Sequence, residues 1–412
     1  MSSTLYCGVD VSYKTNRVRF CDSEGNEPHT RLTFPNDGPN AMAFLKQLLG
    51  IASKAGFDEI RVGLEATGTL AWHLAMLFGR SSSAALPLKV YVFNPKIIRN
   101  FKDTYPDRRK DDWFDARVIA DRLRFGEPLP KPFDPDDRYM PLGRLTRHRF
   151  HLVHQLVREK NYFLSYLMLK CHTLAQGGPL SSPFSTTISD LVTEFRSPEE
   201  IANAPLADLA RFVAEKSHNK IQEPLCVARE LQKAAHHAHR LPENLKDPVN
   251  RIMASTLRNI RHLEKEIKLT SQEIEREMSG IDAPLLSVPG IGPVFAAGII
   301  AEIGDIRHFS HDDKLAKFAG LTWRSRQSGD FQGEDSSLSR TGNPYLRYYL
   351  VEAANQVRMH DLEYAAYYQK KCAEAKIHKH KRALALTARK LVRLVFILLR
   401  ENRPYIKPEK RG

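Results

Sequence analysis

Four carboxylates in the first third of the chain have a spacing that could hold a divalent metal ion. Asp10 lies inside an otherwise apolar segment, CGVDVS, and Glu65 lies near the end of a second one, VGLEATG. A carboxylate inside a buried strand must be paired, protonated or bound to metal, because an isolated buried charge is costly. Asp112 and Asp115 are three residues apart and therefore share one face of a helix. Ligands that offer only oxygen favour Mg²⁺ or Mn²⁺, which can activate water or a hydroxyl beside a scissile phosphate.

The same four residues could instead form separate ion pairs and a helix cap. A single acid in a strand, or an Asp-x-x-Asp pair on a helix, is often no more than that. The order Asp, Glu, Asp-x-x-Asp on an alternation of strands and helices is what favours the metal-site hypothesis.

A serine-rich segment at residues 318–343, FAGLTWRSRQSGDFQGEDSSLSRTGN, contains a second candidate for chemistry. A serine that attacks phosphorus needs positive charge nearby to stabilise the transition state. Ser328 follows Arg324 and Arg326. Gly329 comes next and lets a phosphate backbone approach closely. The other serines lack an adjacent glycine or follow an acidic pair: Ser325, Ser336, Ser337 and Ser339. On composition alone, an ordinary polar loop remains the alternative.

A glycine turn and several basic residues are predicted to contact nucleic acid. In PGIGP, Gly290 and Gly292 allow a tight turn before a helix, and its backbone N–H groups can face a phosphate. A plain packing turn between helices fits the same motif. No GxxxxGK[ST] occurs, so we expect no use of ATP. The predicted nucleic-acid contacts are Lys110, Gly290, Gly292, Arg324, Arg326, Gly329, Arg340, Asn343 and Arg347.

The charge of the chain favours a polyanionic partner. The formal net charge is +14, and residues 340–412 hold 17 Lys/Arg against 6 Asp/Glu. Five scattered cysteines without a CxxC predict neither a disulfide framework nor a zinc finger. The chain begins without a basic-then-apolar leader, and Arg393 interrupts its strongest C-terminal apolar run. We therefore expect a soluble intracellular protein with no membrane span.

Changes in hydrophobic period predict three regions. Residues 1–126 contain three strands and then alternate between helix and strand, which indicates an α/β domain with a mixed sheet. Residues 127–282 contain two long amphipathic helices, which we expect to pair as an antiparallel coiled coil. An insertion at about 177–245 separates them and becomes helical after a Gly/Pro/Ser-rich start. Residues 283–412 are predicted to be mostly helical and to end in a basic tail.

Motifs in the first and third regions resemble those of a known family. They are GVDVSYKT, GLEATGT, KDDWFDARVIA, SVPGIGPVFAAGIIAEIGD, KLAKFAGLTWRSRQSG and SRTGNPYLRYYL. They are similar to the DEDD transposases of bacterial insertion sequences, family one-hundred-and-ten, which includes the Piv-type DNA invertases. The resemblance implies a RuvC-like (RNase H fold) domain, a helical linker and a C-terminal transposase domain with a helix-hairpin-helix-like motif.

The same resemblance implies a DNA transposase or site-specific recombinase of a mobile element. Asp10, Glu65, Asp112 and Asp115 match the DEDD tetrad, with Mg²⁺ or Mn²⁺ as cofactor. Ser328 matches the serine that forms a covalent phosphoserine link to DNA. The implied partners are the element ends, the target DNA and a structured non-coding bridge RNA, in a bacterial cytoplasm at the nucleoid. A site shared between subunits, and hence a homodimer or homotetramer, is implied as well.

Three departures from the family pattern accompany the resemblance. Lys110-Asp111-Asp112 stands where Lys-Thr-Asp is common, the insertion at 177–245 is long, and the basic tail is extended. Two other functions fit the residues. One is a metal-dependent, junction-resolving nuclease that uses only the first region, and the other is a non-catalytic nucleic-acid-binding protein.

Overall fold

The fold was obtained as a computed structural model, and the chain forms two compact units, Met1–Arg138 and Tyr139–Gly412. The structure describes residues 3–66, 68–83, 86–106, 111–126, 129–135, 138–177, 180, 182–323, 327–328, 331–332, 338–339 and 341–407. Five predicted nucleic-acid contacts lie outside them: Lys110, Arg324, Arg326, Gly329 and Arg340. For Ser328 the backbone alone is described.

The first unit is built on one mixed sheet of five strands. The strands are β1 (Thr4–Val11), β2 (Thr15–Cys21), β3 (Leu32–Pro35), β4 (Glu59–Glu65) and β5 (Leu88–Phe93). Their order is β3-β2-β1-β4-β5. The first three pair antiparallel, whereas β4 runs parallel to both β1 and β5. The mixed sheet predicted for this region is confirmed.

The helices described beside this sheet are α1 (Gly38–Lys54), α2 (Trp72–Gly79), α3 (Pro95–Lys102) and α4 (Asp112–Arg124). Apolar residues of α1 and α2 share a core with Cys7 and Val9 of β1. Because neighbouring strand residues point to opposite faces, α4 packs on the other face, which carries Tyr6. The sequence predicted helix after β5 but not its division into α3 and α4. Asn94 begins α3 by accepting the Lys96 N–H at 2.9 Å.

Two long helices, α5 (Met140–Gly177) and α10 (Glu243–Met278), are the longest elements of the second unit. The start of α5 shares a core with the end of α10, so the two helices run antiparallel. The predicted single helix over α5 has a break at Cys171, where φ is −152° and ψ is 83°. The break adjoins Lys170, whose buried ammonium donates to the carbonyl oxygens of Val192 at 2.7 Å and Phe195 at 2.6 Å.

In the described part of the insertion between α5 and α10, the structure has four short helices. They are α6 (Thr186–Glu194), α7 (Pro198–Asn203), α8 (Leu206–Lys216) and α9 (Pro224–His236). Their apolar residues share one core with the C-terminal half of α5 and the N-terminal half of α10. The insertion therefore packs on the far end of the helix pair from the C-terminal region.

The remaining elements are helices around a second core at the near end of the pair, and the two strands of a short separate sheet. They are a 3-10 helix (Pro284–Ser287), α11 (Pro293–Ile303), a 3-10 turn (Ile306–His308), α12 (Asp312–Ala319), β6 (Gln327–Ser328), β7 (Phe331–Gln332), α13 (Pro344–His360), α14 (Leu362–Glu374) and α15 (Lys379–Glu401). Of the two helices expected around the glycine turn, the first is only the four-residue 3-10 helix. Among the described residues, no helix is both long and apolar enough to span a membrane.

Candidate active site

Two glycines determine where α4 lies on the sheet. Gly8 of β1 and Gly63 of β4 are register partners. A Cβ at Gly8 would fall far inside the van der Waals distance of the Ala116 carbonyl and the Ala120 N–H. A Cβ at Gly63 would lie 2.6 Å from a methyl group of Ile119. The backbone of α4 therefore approaches these strands more closely than any side chain would allow.

This close packing brings three of the predicted carboxylates together. Asp10 is two residues beyond Gly8, and Glu65 is two residues beyond Gly63, so both lie on the face that α4 covers. Asp115 belongs to the first turn of α4, immediately before the residues that contact the glycines. The N-terminal end of the helix consequently meets the carboxyl ends of β1 and β4.

Mutual repulsion marks the three groups as one electrostatic cluster. Burial first, and then the charges of Asp115 and Glu65, raise the pKa of Asp10 to about 6 against the opposing effect of Arg17 and Lys102. The pKa of Glu65 is also raised, first by burial and then by Asp115. A rise of this kind means that the folded protein holds protons at the cluster, or that a cation can replace them.

Two basic side chains contact the cluster in this structure. The Lys102 ammonium, at the end of α3, donates to Asp115, and Arg17 of β2 forms an ion pair with Asp112. Asp112 is exposed and is not among the leading causes of the raised pKa values of Asp10 and Glu65. Asp112 therefore lies at the rim of the cluster, and its predicted ligand role stays a prediction.

The donor set fits a hard divalent cation. In the described part of the chain, no three His, Cys, Asp or Glu side chains are already gathered as a ready-made metal site. The cluster offers only carboxylate oxygens, which repel one another, and Lys102 already places one positive charge against it. Oxygen ligands with unbalanced negative charge are the donor set that Mg²⁺ and Mn²⁺ prefer. Asp111, next to the cluster, instead caps α4 by accepting the Trp113 N–H at 3.1 Å.

The serine-rich segment forms a short β-ribbon at Ser328. In the antiparallel pair β6–β7, Ser328 stands opposite Phe331. Nearer the base of the ribbon, Trp323 bridges to Leu338, and the Ser339 N–H donates to the Thr322 carbonyl at 2.8 Å. The Ser339 hydroxyl lies 3.1 Å from the Thr322 hydroxyl. Ser339 thus serves the base of the ribbon, whereas Ser325, Ser336 and Ser337 lie outside the described residues.

Asn343 closes the base of this segment. Its backbone N–H donates to the Phe318 carbonyl at 2.6 Å. Its side-chain oxygen caps α13 by accepting the N–H groups of Tyr345 and Leu346, at 2.9 and 3.1 Å. Arg347 adds a bond to the Ala319 carbonyl at 3.2 Å. Both residues therefore have roles in the base of the ribbon, and their contact with nucleic acid stays a prediction.

The two glycines of PGIGP have different surroundings. Gly290 has a φ of 94°, and a Cβ there would lie 2.8 Å from backbone atoms of Gln356 and Val357 in α13. Gly292 begins α11 with nothing within 4 Å of an added Cβ. Gly290 thus serves helix packing, while the open side of the turn is at Gly292.

Two family models match the chain in the regions that carry these residues. A transposase model of the DEDD type matches residues 7–171, and the model of the IS116/IS110/IS902 transposase family matches residues 282–369. Together they cover more than half of the chain, including the four carboxylates and Ser328. The chain is a member of the IS110/IS116/IS902 transposase family.

Relatives of this transposase come from several bacterial mobile elements. Over 98% of both chains it is 26% identical to an uncharacterized 42 kDa protein of insertion element IS900 of Mycobacterium paratuberculosis. It is also 26% identical to an uncharacterized 44.8 kDa protein of insertion element IS116 of Streptomyces clavuligerus, over 79% of this chain and 81% of that one. A pilin gene-inverting protein of Moraxella bovis is 31% identical over 36% of this chain and 48% of its own. The general function of the family is DNA transposition and recombination.

Sequence reasoning missed three residues of the transposase that matter to the two sites. Arg17 is the register partner of Asp10 across the β1–β2 hairpin, so counting residues on both sides of the turn would have placed Arg17 beside Asp10. Lys102 could have been found only by recognising α3 as a separate helix. The third is Glu302, an acid within the apolar segment AAGIIAEIG of α11. It carried the same signal as Asp10, an acid among buried apolar residues.

Proposed function

We propose that this transposase cuts and rejoins DNA through a covalent bond to Ser328. In the first step the Ser328 hydroxyl oxygen forms a bond to a DNA phosphorus and loses its proton. The phosphorus–oxygen bond to the neighbouring deoxyribose breaks, and that oxygen leaves as a DNA hydroxyl after taking up a proton. In the second step a DNA hydroxyl attacks the phosphoserine and restores the serine, so the energy of the phosphodiester is conserved. Neither step needs ATP.

The acidic cluster supports this proposal. Asp10, Glu65 and Asp115, with Asp112 at the rim, would hold Mg²⁺ or Mn²⁺. Such an ion would supply positive charge to activate the attacking hydroxyl and to stabilise charge at the phosphate. The single observation that carries the proposal is the meeting of Asp10, Glu65 and Asp115 where the start of α4 packs against the ends of β1 and β4, in a chain whose family is that of transposases.

We assign the first unit to the RuvC-like (RNase H) fold. Three antiparallel strands followed by two parallel ones, with acids at the ends of β1 and β4 and on a helix packed against them, support the assignment. We also propose three regions, at 1–126, 127–282 and 283–412. The family resemblance adds two partners to the proposal: a second subunit that shares the site, in a dimer or tetramer, and a structured bridge RNA that pairs with element and target DNA. The net charge of +14 suits both nucleic acids.

The test is a search for covalent protein–DNA adducts. The protein is incubated with Mg²⁺, supercoiled DNA of the element and RNA transcribed from the flank of the element, and then run on denaturing gels. We expect an adduct from the wild type and none from Ser328→Ala. Ser325→Ala and Ser336→Ala serve as matched controls from the same segment, and both should keep the adduct. An adduct of wild-type intensity from Ser328→Ala would refute the role of this serine.

A second candidate function is a metal-dependent nuclease that resolves DNA junctions. It is favoured by one observation, that all four carboxylates lie within the first unit. Such a nuclease would still cut DNA after Ser328→Ala and would lose cutting after Asp10→Asn. The proposed recombinase should lose its activity after either substitution. A protein that only binds nucleic acid would keep its function in both variants.

A further inference from the structure

A buried carboxylate that the proposed chemistry does not use lies beneath the serine segment. Glu302 of α11 has a side chain that is 1% exposed. Its two oxygens accept from the Arg147 guanidinium of α5, at 2.6 and 2.8 Å. Planar pairing of this kind is among the strongest hydrogen-bonding arrangements in proteins, and it compensates the cost of burying the charge.

The third bond to this carboxylate comes from the base of the serine segment. The Asn343 amide nitrogen donates to Glu302 at 2.7 Å. The other end of the same amide caps α13, and the Asn343 backbone binds the last turn of α12 through Phe318. One residue therefore joins α11, α12 and α13 at the point where the segment leaves and re-enters the helical core, by its side chain to α11 and α13 and by its backbone to α12.

Arg147 extends the network to the long helix α5. Its guanidinium carbon lies 4.8 Å from the ring centre of Tyr345, the residue whose N–H is capped by Asn343. The Tyr345 ring in turn meets Phe150 of α5 edge-on, with ring centres 5.0 Å apart. Every polar atom of the Glu302 carboxylate thus points either to α5 or to the start of α13.

We propose that Glu302 is a positioning residue for the serine chemistry, acting through Asn343. The two residues fix the base of the ribbon that carries Ser328, and so set where the serine is presented to the phosphate. This inference rests on the proposed function of Ser328. A misplacement of about 1 Å at a reacting group can lower a rate by about 100-fold, even when binding is unaffected. A purely structural network would lower stability without selectively lowering the rate of attack.

Asn343→Ser is the variant that isolates this link. Serine keeps the helix cap and the backbone bond to Phe318, but it cannot reach Glu302, whose pairing with Arg147 remains. Asp361→Ser is the matched control, because Asp361 likewise caps a helix, α14, and accepts a bond from a distant side chain, Tyr405, at 2.9 Å. Glu302→Gln is the second variant; it keeps an acceptor for Asn343 and removes the charge opposite Arg147.

The measurements are single-turnover adduct formation at saturating DNA and the Kd for the same DNA. We expect Asn343→Ser and Glu302→Gln to slow adduct formation by about 10- to 100-fold. The Kd should stay within about twofold in Glu302→Gln, whose altered side chain is buried, and Asp361→Ser should match the wild type in both rate and Kd. Amide hydrogen exchange of the full chain supplies a readout that needs no activity: the N–H group of Ser339 should exchange about tenfold faster in Asn343→Ser.

Three negative results have different meanings. If wild type forms an adduct and Asn343→Ser forms it at the same rate, the positioning role is wrong while the proposed function stands. If the Ser339 N–H exchanges in Asn343→Ser as in the wild type, the anchoring of the segment is wrong as well. If the wild type forms no adduct under any condition, the proposed function itself fails, and the positioning role fails with it.

Discussion

Replacing Asp10 by asparagine should make the metal-free protein more stable at neutral pH while removing its activity. Asp10 is a partly buried carboxylate whose pKa is raised to about 6 by burial, Asp115 and Glu65. Asparagine has nearly the same shape and no charge to repel them. The substitution therefore removes an unfavourable interaction from the folded state, which is the opposite of what the loss of a structural ion pair would do.

The size of the effect follows from the change in pKa. A rise from the ordinary 3.8 to about 6 corresponds to about 3 kcal/mol, since each pKa unit is worth about 1.4 kcal/mol. Asp10 is not fully buried, so solvent screening reduces the expected gain to about 1–2 kcal/mol. The folded state binds the proton more tightly than the unfolded state does. The stability of the wild type should therefore fall as pH rises from about 4 to about 6 and level off above, whereas Asp10→Asn should lack this contribution.

Urea unfolding followed by tryptophan fluorescence can measure this in the first unit. Trp72 and Trp113 belong to that unit, so a Trp323→Phe background makes the signal specific for it. With EDTA present, the Asp10→Asn protein and its parent should be equally stable near pH 4 and should differ by the predicted amount at pH 7.5. Added Mg²⁺ should stabilise the parent at pH 7.5, because a ligand bound only by the folded state raises its stability. The gain should be much smaller in Asp10→Asn.

Glu27→Gln provides the control of opposite sign. Burial would raise the pKa of Glu27, but hydrogen bonds and charges of Arg19 and Arg117 outweigh it, and the pKa is lowered. Removing this charge should destabilise the first unit at neutral pH. If Asp10→Asn destabilises the unit at pH 7.5 as Glu27→Gln does, Asp10 is a structural ion-pair partner and the reasoning about the cluster is refuted.

Three glycine substitutions test the elements that position the sites. Gly8→Ala would place a methyl group against the backbone of α4. We therefore expect the free energy of unfolding in urea to fall by about 3 kcal/mol and the stabilisation by Mg²⁺ to be weaker. Wild-type values in both measurements would contradict the close packing. Gly290→Ala combines a φ of 94° with a Cβ 2.8 Å from the backbone of Gln356, and should cost about 2 kcal/mol. Gly292→Ala meets no atom within 4 Å and should leave the melting temperature unchanged. It should weaken DNA binding in a filter assay if a phosphate approaches the turn, and unaltered binding would remove that role.

Much of the first unit could be predicted because its strands and helices differ in hydrophobic period. The alternation along β1 placed Asp10 on a definite face, and the parallel strands put Glu65 at the same edge of the sheet. The sequence did not reveal which basic side chains lie next to these acids. Lys102 meets Asp115 only because α3 ends before α4 begins, a division that the continuous helical pattern concealed. Such contacts depend on tertiary packing rather than on local pattern.

The serine segment shows the same division between local pattern and distant contact. Its position after an apolar helix and before Asn343 was visible in the sequence, and Asn343-Pro344 is an ordinary start of a helix. Glu302 was visible too, as an acid in an apolar helix. Its partner Arg147 is 155 residues away on a helix from another region, so no local rule could join the two. The anchoring of the segment therefore became apparent only in the fold.

A comparison of carboxylates within this chain separates the candidate site from ordinary ion pairs. Where an acid serves structure, its partners lower its pKa: hydrogen bonds from Arg307 hold the pKa of Asp305 at about 2. Glu352 has a raised pKa, but burial alone raises it, with no other acid contributing. The pKa values of Asp10 and Glu65 are raised both by burial and by other carboxylates, although Lys102 is near enough to oppose the rise in each. These acids lie together at a cost to folding, and the basic side chains near them do not neutralise their charge. Such an arrangement is expected where a cation is to be bound.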